Sequence, residues 1–271
     1  EISSVSVSGY SFSGKDVILT VGSGTIALKD MESQPLKLKI GSGVAQDTVF
    51  YNPNIVGTPD NDSIYNELDG ATISALAGND TITNRADKVL IYGGAGNDSI
   101  SNIGENSTLI GGDGDDTILN GNIGANSTIL GGAGNDFIEN LSSGTTIQAG
   151  TGDDSIKNYG AENLFQYASG DGNDTIDGLG ASDTLNITSG TIDAYSVNGS
   201  DVVIKIGSGS ITLKNKKGAA FNLQVGTSSV ITKEVTGMEN YEDNTEVIGT
   251  EDGEYIYNSS SGSTVEALEG D

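Results

Sequence analysis

The chain has 271 residues, 40 of them glycine, with 6% aromatics, no tryptophan, no cysteine, no histidine and a formal charge of −26. Those absences exclude a disulfide framework, thiolate chemistry and imidazole-based catalysis or zinc and haem ligation, and the charge excludes nucleic acid and acidic membrane surfaces while favouring cations. No run reaches the roughly 18 apolar residues of a membrane span, so membrane insertion is not expected, and the first residues do not resemble a signal peptide.

In chain order, the first predicted element is a hairpin module over residues 1–50. Residues 10–41 align without a gap with 195–226 at an offset of 185, with 13 of 32 positions identical, among them Tyr10/Tyr195, Asp16/Asp201, Gly22/Gly207 and Lys29/Lys214. Each copy alternates apolar and polar residues around a Gly-Ser-Gly turn, Asp16 to Val21 and Thr25 to Lys29 in the first, which is a hairpin signature.

Residues 51–178 come next. Glycine, serine and asparagine at this abundance with few aromatics suggest disorder, but a short fixed period decides for stacked units. Asp62, Asp80, Asp98, Asp116, Asp136, Asp154 and Asp174 recur at spacings of 18, 18, 18, 20, 18 and 20 residues. Two residues after each stands an isoleucine, Ile64 through Ile176. Seven before the later six stand Ile73, Ile91, Leu109, Ile129, Ile147 and Tyr167, a second apolar row predicted to face the first. Four after comes an asparagine, Asn66 through Asn158, replaced in the last turn by Gly178; stacked amides and tight turns account for that row without a ligand. Two strands of three to five residues per turn follow, and seven turns at about 4.8 Å make a rod about 34 Å long.

One loop of each turn carries the chemistry. It reads Gly93-Gly94-Ala95-Gly96-Asn97-Asp98, Gly111-Gly112-Asp113-Gly114-Asp115-Asp116 and Gly131-Gly132-Ala133-Gly134-Asn135-Asp136. Glycine permits positive φ and lets carbonyl oxygens converge, and a hard cation with six to eight oxygen ligands at about 2.3–2.6 Å describes Ca²⁺ better than Mg²⁺. A column of carboxylates a few ångströms apart repels itself unless neutralised.

These loops resemble the RTX, or haemolysin-type, calcium-binding repeat G-G-x-G-x-D-x-U-x. The resemblance implies a right-handed parallel β-roll, a solenoid of about seven 18-residue turns, with each ion held between successive loops. It assigns Asp80, Asp98, Asp116, Asp136, Asp154 and Asp174 as side-chain ligands, with carbonyls near Gly78, Gly94, Gly96, Gly112, Gly114, Gly132, Gly134, Gly150, Gly152, Gly170 and Gly172. Asp62 is a weaker candidate, because Asp60 stands where the fourth-position glycine belongs. About four to six ions in one row are expected. The other loop of each turn, such as Asn102 to Ser107, lacks the motif aspartate, so the opposite edge is expected to be metal-free.

The second hairpin copy, placed at 179–240, is similar to the short module that accompanies many such arrays and is expected to pack on the roll's end. Residues 241–271 then read as the start of a second roll: Gly249 to Gly270 matches Gly57 to Gly78 at an offset of 192, with 11 of 22 identities, though Glu254 replaces the equivalent of Asp62. The all-β chain thus reads as one large period and part of the next, a segment of a longer tandem protein.

Three functions fit this pattern. The first is a calcium-stiffened spacer or filament unit of a secreted, adhesin-like bacterial cell-surface protein, not an enzyme, with end-to-end self-association of units as an open possibility. The second is the non-catalytic secretion or stability module of an extracellular protease, lipase or polysaccharide epimerase. The third is an ice- or glycan-binding surface, suggested by the hydroxyl row Ser63, Thr81, Ser99, Thr117, Ser155 and Thr175, interrupted by Phe137; solvated strands carry the same residues for no special reason.

Overall fold

The computed structural model describes residues 53–237 throughout, and outside them residues 7–13, 16–21, 23–29, 35–38, 46–49, 239–240, 247–248 and 265–266. The chain divides into two compact units, Glu1–Ile55 and Val56–Asp271. Among the described residues there is no helix.

In the larger unit the chain winds as a parallel β-solenoid of about seven turns. One sheet takes the strands Ser63–Asn66, Thr81–Asn84, Ser99–Asn102, Thr117–Asn120, Phe137–Asn140, Ser155–Asn158 and Asn173–Asp177, each paired in parallel with the next. The facing sheet takes Thr72–Ala77, Leu90–Ala95, Thr108–Asp113, Thr128–Ala133, Thr146–Thr151, Leu164–Tyr167 and Thr184–Ile187. Five of these run to six residues, longer than expected, because the strand continues into the opening positions of the loop, which are a glycine pair in three of the five.

The isoleucine two residues after each aspartate stacks in register, Ile64 on Ile82, Ile100, Ile118, Ile138, Ile156 and Ile176. Across the thin interior, Ile73, Ile91, Leu109, Ile129 and Ile147 form the second row. The sixth member of that row is Phe165, not Tyr167, for Phe165 is the partner of Ile147. The two extra residues of this turn lie between strand and aspartate, so counting back from Asp174 lands two places late. Tyr167 is nonetheless buried and donates its hydroxyl to the Gly172 carbonyl at 2.6 Å. Each fully buried aliphatic side chain contributes about 1.5–3 kcal/mol, and rows of identical β-branched residues suit the pleat.

Behind the isoleucines the asparagines make a continuous ladder. The Nδ2 of Asn66, Asn84, Asn102, Asn120 and Asn140 donates to the Oδ1 of the asparagine one turn on, at 2.7–2.9 Å. Each amide also donates to a carbonyl within its own turn, as Asn84 does to Ala86 O at 2.7 Å. At the end of the row the Gly178 carbonyl accepts from Asn158 at 3.1 Å where an asparagine would have stood. A buried amide row costs free energy unless fully satisfied, and here it is.

The sheets do not stop at residue 178. Gly209–Leu213 adds in parallel to Asn173–Asp177, and Phe221–Val225 adds in parallel to Thr184–Ile187. Beyond them the pairing turns antiparallel, through Asp201–Ile206 and Ile192–Asn198 in one sheet and Ile231–Lys233 in the other. The hairpin copy is thus continuous with the solenoid.

In the smaller unit, Val7–Ser13, Asp16–Val21 and Gly24–Leu28 form a three-stranded antiparallel sheet. Its register repeats that of the second copy at the 185-residue offset, including the irregularity between Val7 and Gly9, mirrored between Ile192 and Ala194. Lys29 pairs with Asp16 as Lys214 pairs with Asp201. Pro35–Leu38 pairs with Gln46–Val49 in the register of Phe221–Val225 with Ile231–Lys233. Near the C-terminus, Val247–Ile248 and Val265–Glu266 pair in parallel, 18 residues apart. The loops of the expected second roll, Glu254 among them, lie outside the described residues.

Candidate metal centre

Where strand leaves loop, each aspartate of the column turns its side chain along the solenoid axis. The backbone N–H of Asp62 donates to Asp80 Oδ1 at 2.7 Å, and the pattern repeats from Asp80 to Asp98, Asp98 to Asp116, Asp116 to Asp136, Asp136 to Asp154 and Asp154 to Asp174 at 2.7–3.0 Å. One oxygen of each carboxylate from Asp80 to Asp174 is committed to the turn before. The other is not: Oδ2 of Asp80, Asp98, Asp116, Asp136 and Asp154 is buried with no hydrogen-bond donor. A carboxylate oxygen withdrawn from water and left bare is costly.

Glycine leaves open the space that this oxygen faces. A Cβ built on Gly111 would lie 2.2 Å from Asp116 Oδ2 and 2.4 Å from the Gly131 carbonyl oxygen, and on Gly131 it would lie 2.3 Å from Asp136 Oδ2 and 2.2 Å from Ala149 O. Gly93 faces Asp98 Oδ2 and Gly111 O in the same way. A carboxylate of one turn and a carbonyl of the next therefore converge on one void. The second glycine is needed for a different reason. Gly112 has φ +126, and a Cβ there would sit 2.0 Å from the Gly94 carbonyl, so any side chain breaks the stack. Gly170 is the exception, with nothing within 4 Å, since the longer final turn carries it out of the stack.

Among the described residues no three carboxylates gather as a metal cluster. The donors on offer are single carboxylate oxygens and carbonyls, the hard oxygen set that suits Ca²⁺. The bare Oδ2 atoms and the glycine voids fit that ion.

The same burial shifts protonation. Loss of water raises the carboxyl of Asp116 to about 6, of Asp136 to about 7, of Asp154 to about 6 and of Asp174 to about 8, from an ordinary 3.8, and raises Asp98 as well. The donated N–H of the neighbouring turn opposes this, and adjacent carboxylates add to it. A calcium-free coil therefore holds protons that the unfolded chain releases near pH 4. Its stability is greatest below that pH and falls as pH climbs through the raised values. In chelator, the β circular-dichroism signal is expected to be stronger at pH 5 than at pH 8; an equal or reversed pair of signals would count against the desolvated column.

Asp62, the weaker candidate, differs. Its Oδ2 already accepts from the Thr58 N–H at 2.6 Å and from the Thr58 hydroxyl at 3.1 Å, so that oxygen is not left bare. Asp174 is buried and accepts from Asp154 N–H, as expected of a column member.

The opposite edge holds a column that the sequence pattern did not reveal, because its members differ chemically. Val89, Ser107, Ser127, Thr145, Asn163 and Asp183 are all buried there. Ser107 Oγ accepts from Val89 N–H and Ser127 Oγ from Ser107 N–H at 3.2 Å, and Asn163 and Asp183 accept likewise from Thr145 and Asn163 at 2.8 Å. Asp183 is the one carboxylate of this edge column. Its Oδ2 accepts from Gly180 N–H at 2.7 Å and Asn158 Nδ2 at 3.0 Å, so neither oxygen is left bare. A row of residues sharing one buried position could have been found from the 18-residue spacing by ignoring residue type.

Residues 69–100, 104–122, 124–140 and 168–190 match the family model described as the RTX calcium-binding nonapeptide repeat, in four copies. No curated protein matches the chain. Among solved structures the chain is similar to the extracellular lipase LipA from Serratia marcescens, with 20% sequence identity and a TM-score of 0.35 over 61% of this chain. The chain spans 38% of that lipase's length.

Proposed function

From a chain that carries RTX calcium-binding nonapeptide repeats wound into a parallel β-solenoid, we propose a calcium-loaded structural segment of a secreted, adhesin-like bacterial surface protein. It folds and stiffens when it meets calcium outside the cell. Asp80, Asp98, Asp116, Asp136, Asp154 and Asp174 hold the ions with carbonyls of the flanking glycine loops, in a single row along one edge. Calcium there supplies positive charge to the Oδ2 atoms of Asp80, Asp98, Asp116, Asp136 and Asp154, to which nothing in the fold donates.

The observation that carries this reading is the five buried Oδ2 atoms without a donor. They make the folded rod depend on an ion scarce in the cytosol and plentiful outside, so binding energy becomes folding energy. The repeated strand registers at the 185-residue offset favour a tandem spacer. The domain division proposed is hairpin module 1–50, roll 51–178, second hairpin module 179–240 and the start of a second roll 241–271, with strands of the second module extending the roll's two sheets. The full-length gene separates this from the alternative of a secretion or stability module attached to an extracellular enzyme. Further hairpin-plus-roll periods are expected, whereas a catalytic domain beside a single array would contradict the spacer.

A further inference from the structure

The solenoid's two broad faces differ in charge. On the face built from Ser63–Asn66 through Asn173–Asp177, Glu139, Lys157 and Asp177 stand at outward positions, with Lys157 over the Phe137 ring at 5.5 Å and Arg85 over the Tyr65 ring at 6.0 Å. The other face is different. From Thr72 through Gln224, across eight successive strands, the outward positions carry threonine, serine, asparagine, glutamine, leucine, isoleucine, tyrosine or glycine, and none carries a charge. Tyr92, Ile110 and Leu130 stand in parallel register on three adjacent strands of this face, with Leu90 two residues before Tyr92 in register with Thr108.

A charge-free face is unexpected on a chain with a formal charge of −26. The acids are gathered elsewhere, at both loop edges: Asp113, Asp115 and Asp153 beside the aspartate column, and Asp69, Asp87 and Glu105 on the opposite turns. Two such rods repel each other in every approach that brings their edges together. They repel least when these sheets face each other, because the carboxylates then point away from the contact.

We propose that this uncharged face, over the eight strands from Thr72–Ala77 to Phe221–Val225, is a side-by-side association surface for a second copy of this chain. An identical face offers the same strand spacing, so rows of threonine and aliphatic side chains keep step along the whole contact. Eight strands at about 4.8 Å, five with three outward positions and three with two, present about 440 Å² of flat face, or about 900 Å² over two copies, just under the roughly 1,000 Å² of a specific interface. Association is therefore weak as a free pair, on the order of 10–100 µM, and suited to rods already held side by side. The contact is isologous, the same patch on both copies.

Sedimentation equilibrium of the calcium-loaded chain tests this. The wild type is expected to dimerise across that concentration range. Ile110→Lys and Leu130→Glu, each placing a charge on the face, are expected to shift the dimerisation constant at least tenfold toward monomer, with an unchanged calcium-dependent circular-dichroism spectrum showing that they fold. Thr81→Lys, on the other face, is expected to leave dimerisation as it was. A wild type that stays monomeric to about 1 mM overturns the proposal, even if it adsorbs to another material. So does a dimer that the two face variants leave intact.

Discussion

Stripping calcium from the isolated chain with a chelator at neutral pH is expected to abolish its β circular-dichroism signal, and restoring millimolar free calcium to recover it. In the folded coil, Asp80, Asp98, Asp116, Asp136 and Asp154 each keep a buried oxygen without a donor, and burial raises the carboxyls of Asp98, Asp116, Asp136 and Asp154 above the ordinary range. Without a cation the column must be protonated, left repelling or exposed by unfolding. Each site filled at a hundredfold excess over its Kd contributes about 2.7 kcal/mol. A few such sites together match the roughly 5–15 kcal/mol total stability of an ordinary domain. Removing all of them therefore crosses the threshold. A spectrum unchanged by chelation would mean that the isoleucine and asparagine ladders suffice alone.

Asp136→Asn and Asp183→Asn are expected to fail in opposite ways, although the two side chains occupy matching columns on opposite edges. Asp136 Oδ1 accepts from the Asp116 N–H at 2.8 Å while Oδ2 is bare. Asparagine keeps that acceptor and the side chain's size, and loses only the charge and one cation-facing oxygen. Its calcium midpoint is expected to rise tenfold or more, about 1.4 kcal/mol. In chelator the variant should be no less stable than the wild type, because the desolvated charge is gone. Asp183 Oδ2 instead accepts from Gly180 N–H and Asn158 Nδ2. An amide nitrogen placed there cannot accept, so about 1–3 kcal/mol is lost with or without calcium. Calcium titrations of both variants followed by circular dichroism decide it; an unmoved midpoint for Asp136→Asn would remove that carboxylate from the ion row.

Much of the fold was legible in the sequence because one turn is one period. The isoleucine and asparagine columns could be read by counting, since parallel in-register stacking places like on like, as Asn84 on Asn102. Counting failed where a turn changed length. The final turn's two extra residues moved the apolar slot from Tyr167 to Phe165. The lower rank of Asp62 rested on Asp60 standing in the glycine's place; the structure adds a distinction of another kind, since Thr58 supplies the donors that the Oδ2 of Asp80 lacks. Differences of residue type hid the second buried column, because valine, serine, threonine, asparagine and aspartate share a position from Val89 to Asp183 without sharing a side chain. The uncharged face was invisible for another reason, as it emerges only when alternate residues of eight strands are brought side by side.

Anomalous X-ray scattering from crystals grown in calcium puts the ion row to its most direct test. A single file of anomalous peaks is expected between successive loops beside Asp80, Asp98, Asp116, Asp136 and Asp154, with none along the edge from Ser107 to Asn163. An intact coil with no peak between those loops, or with equal files on both edges, would contradict it.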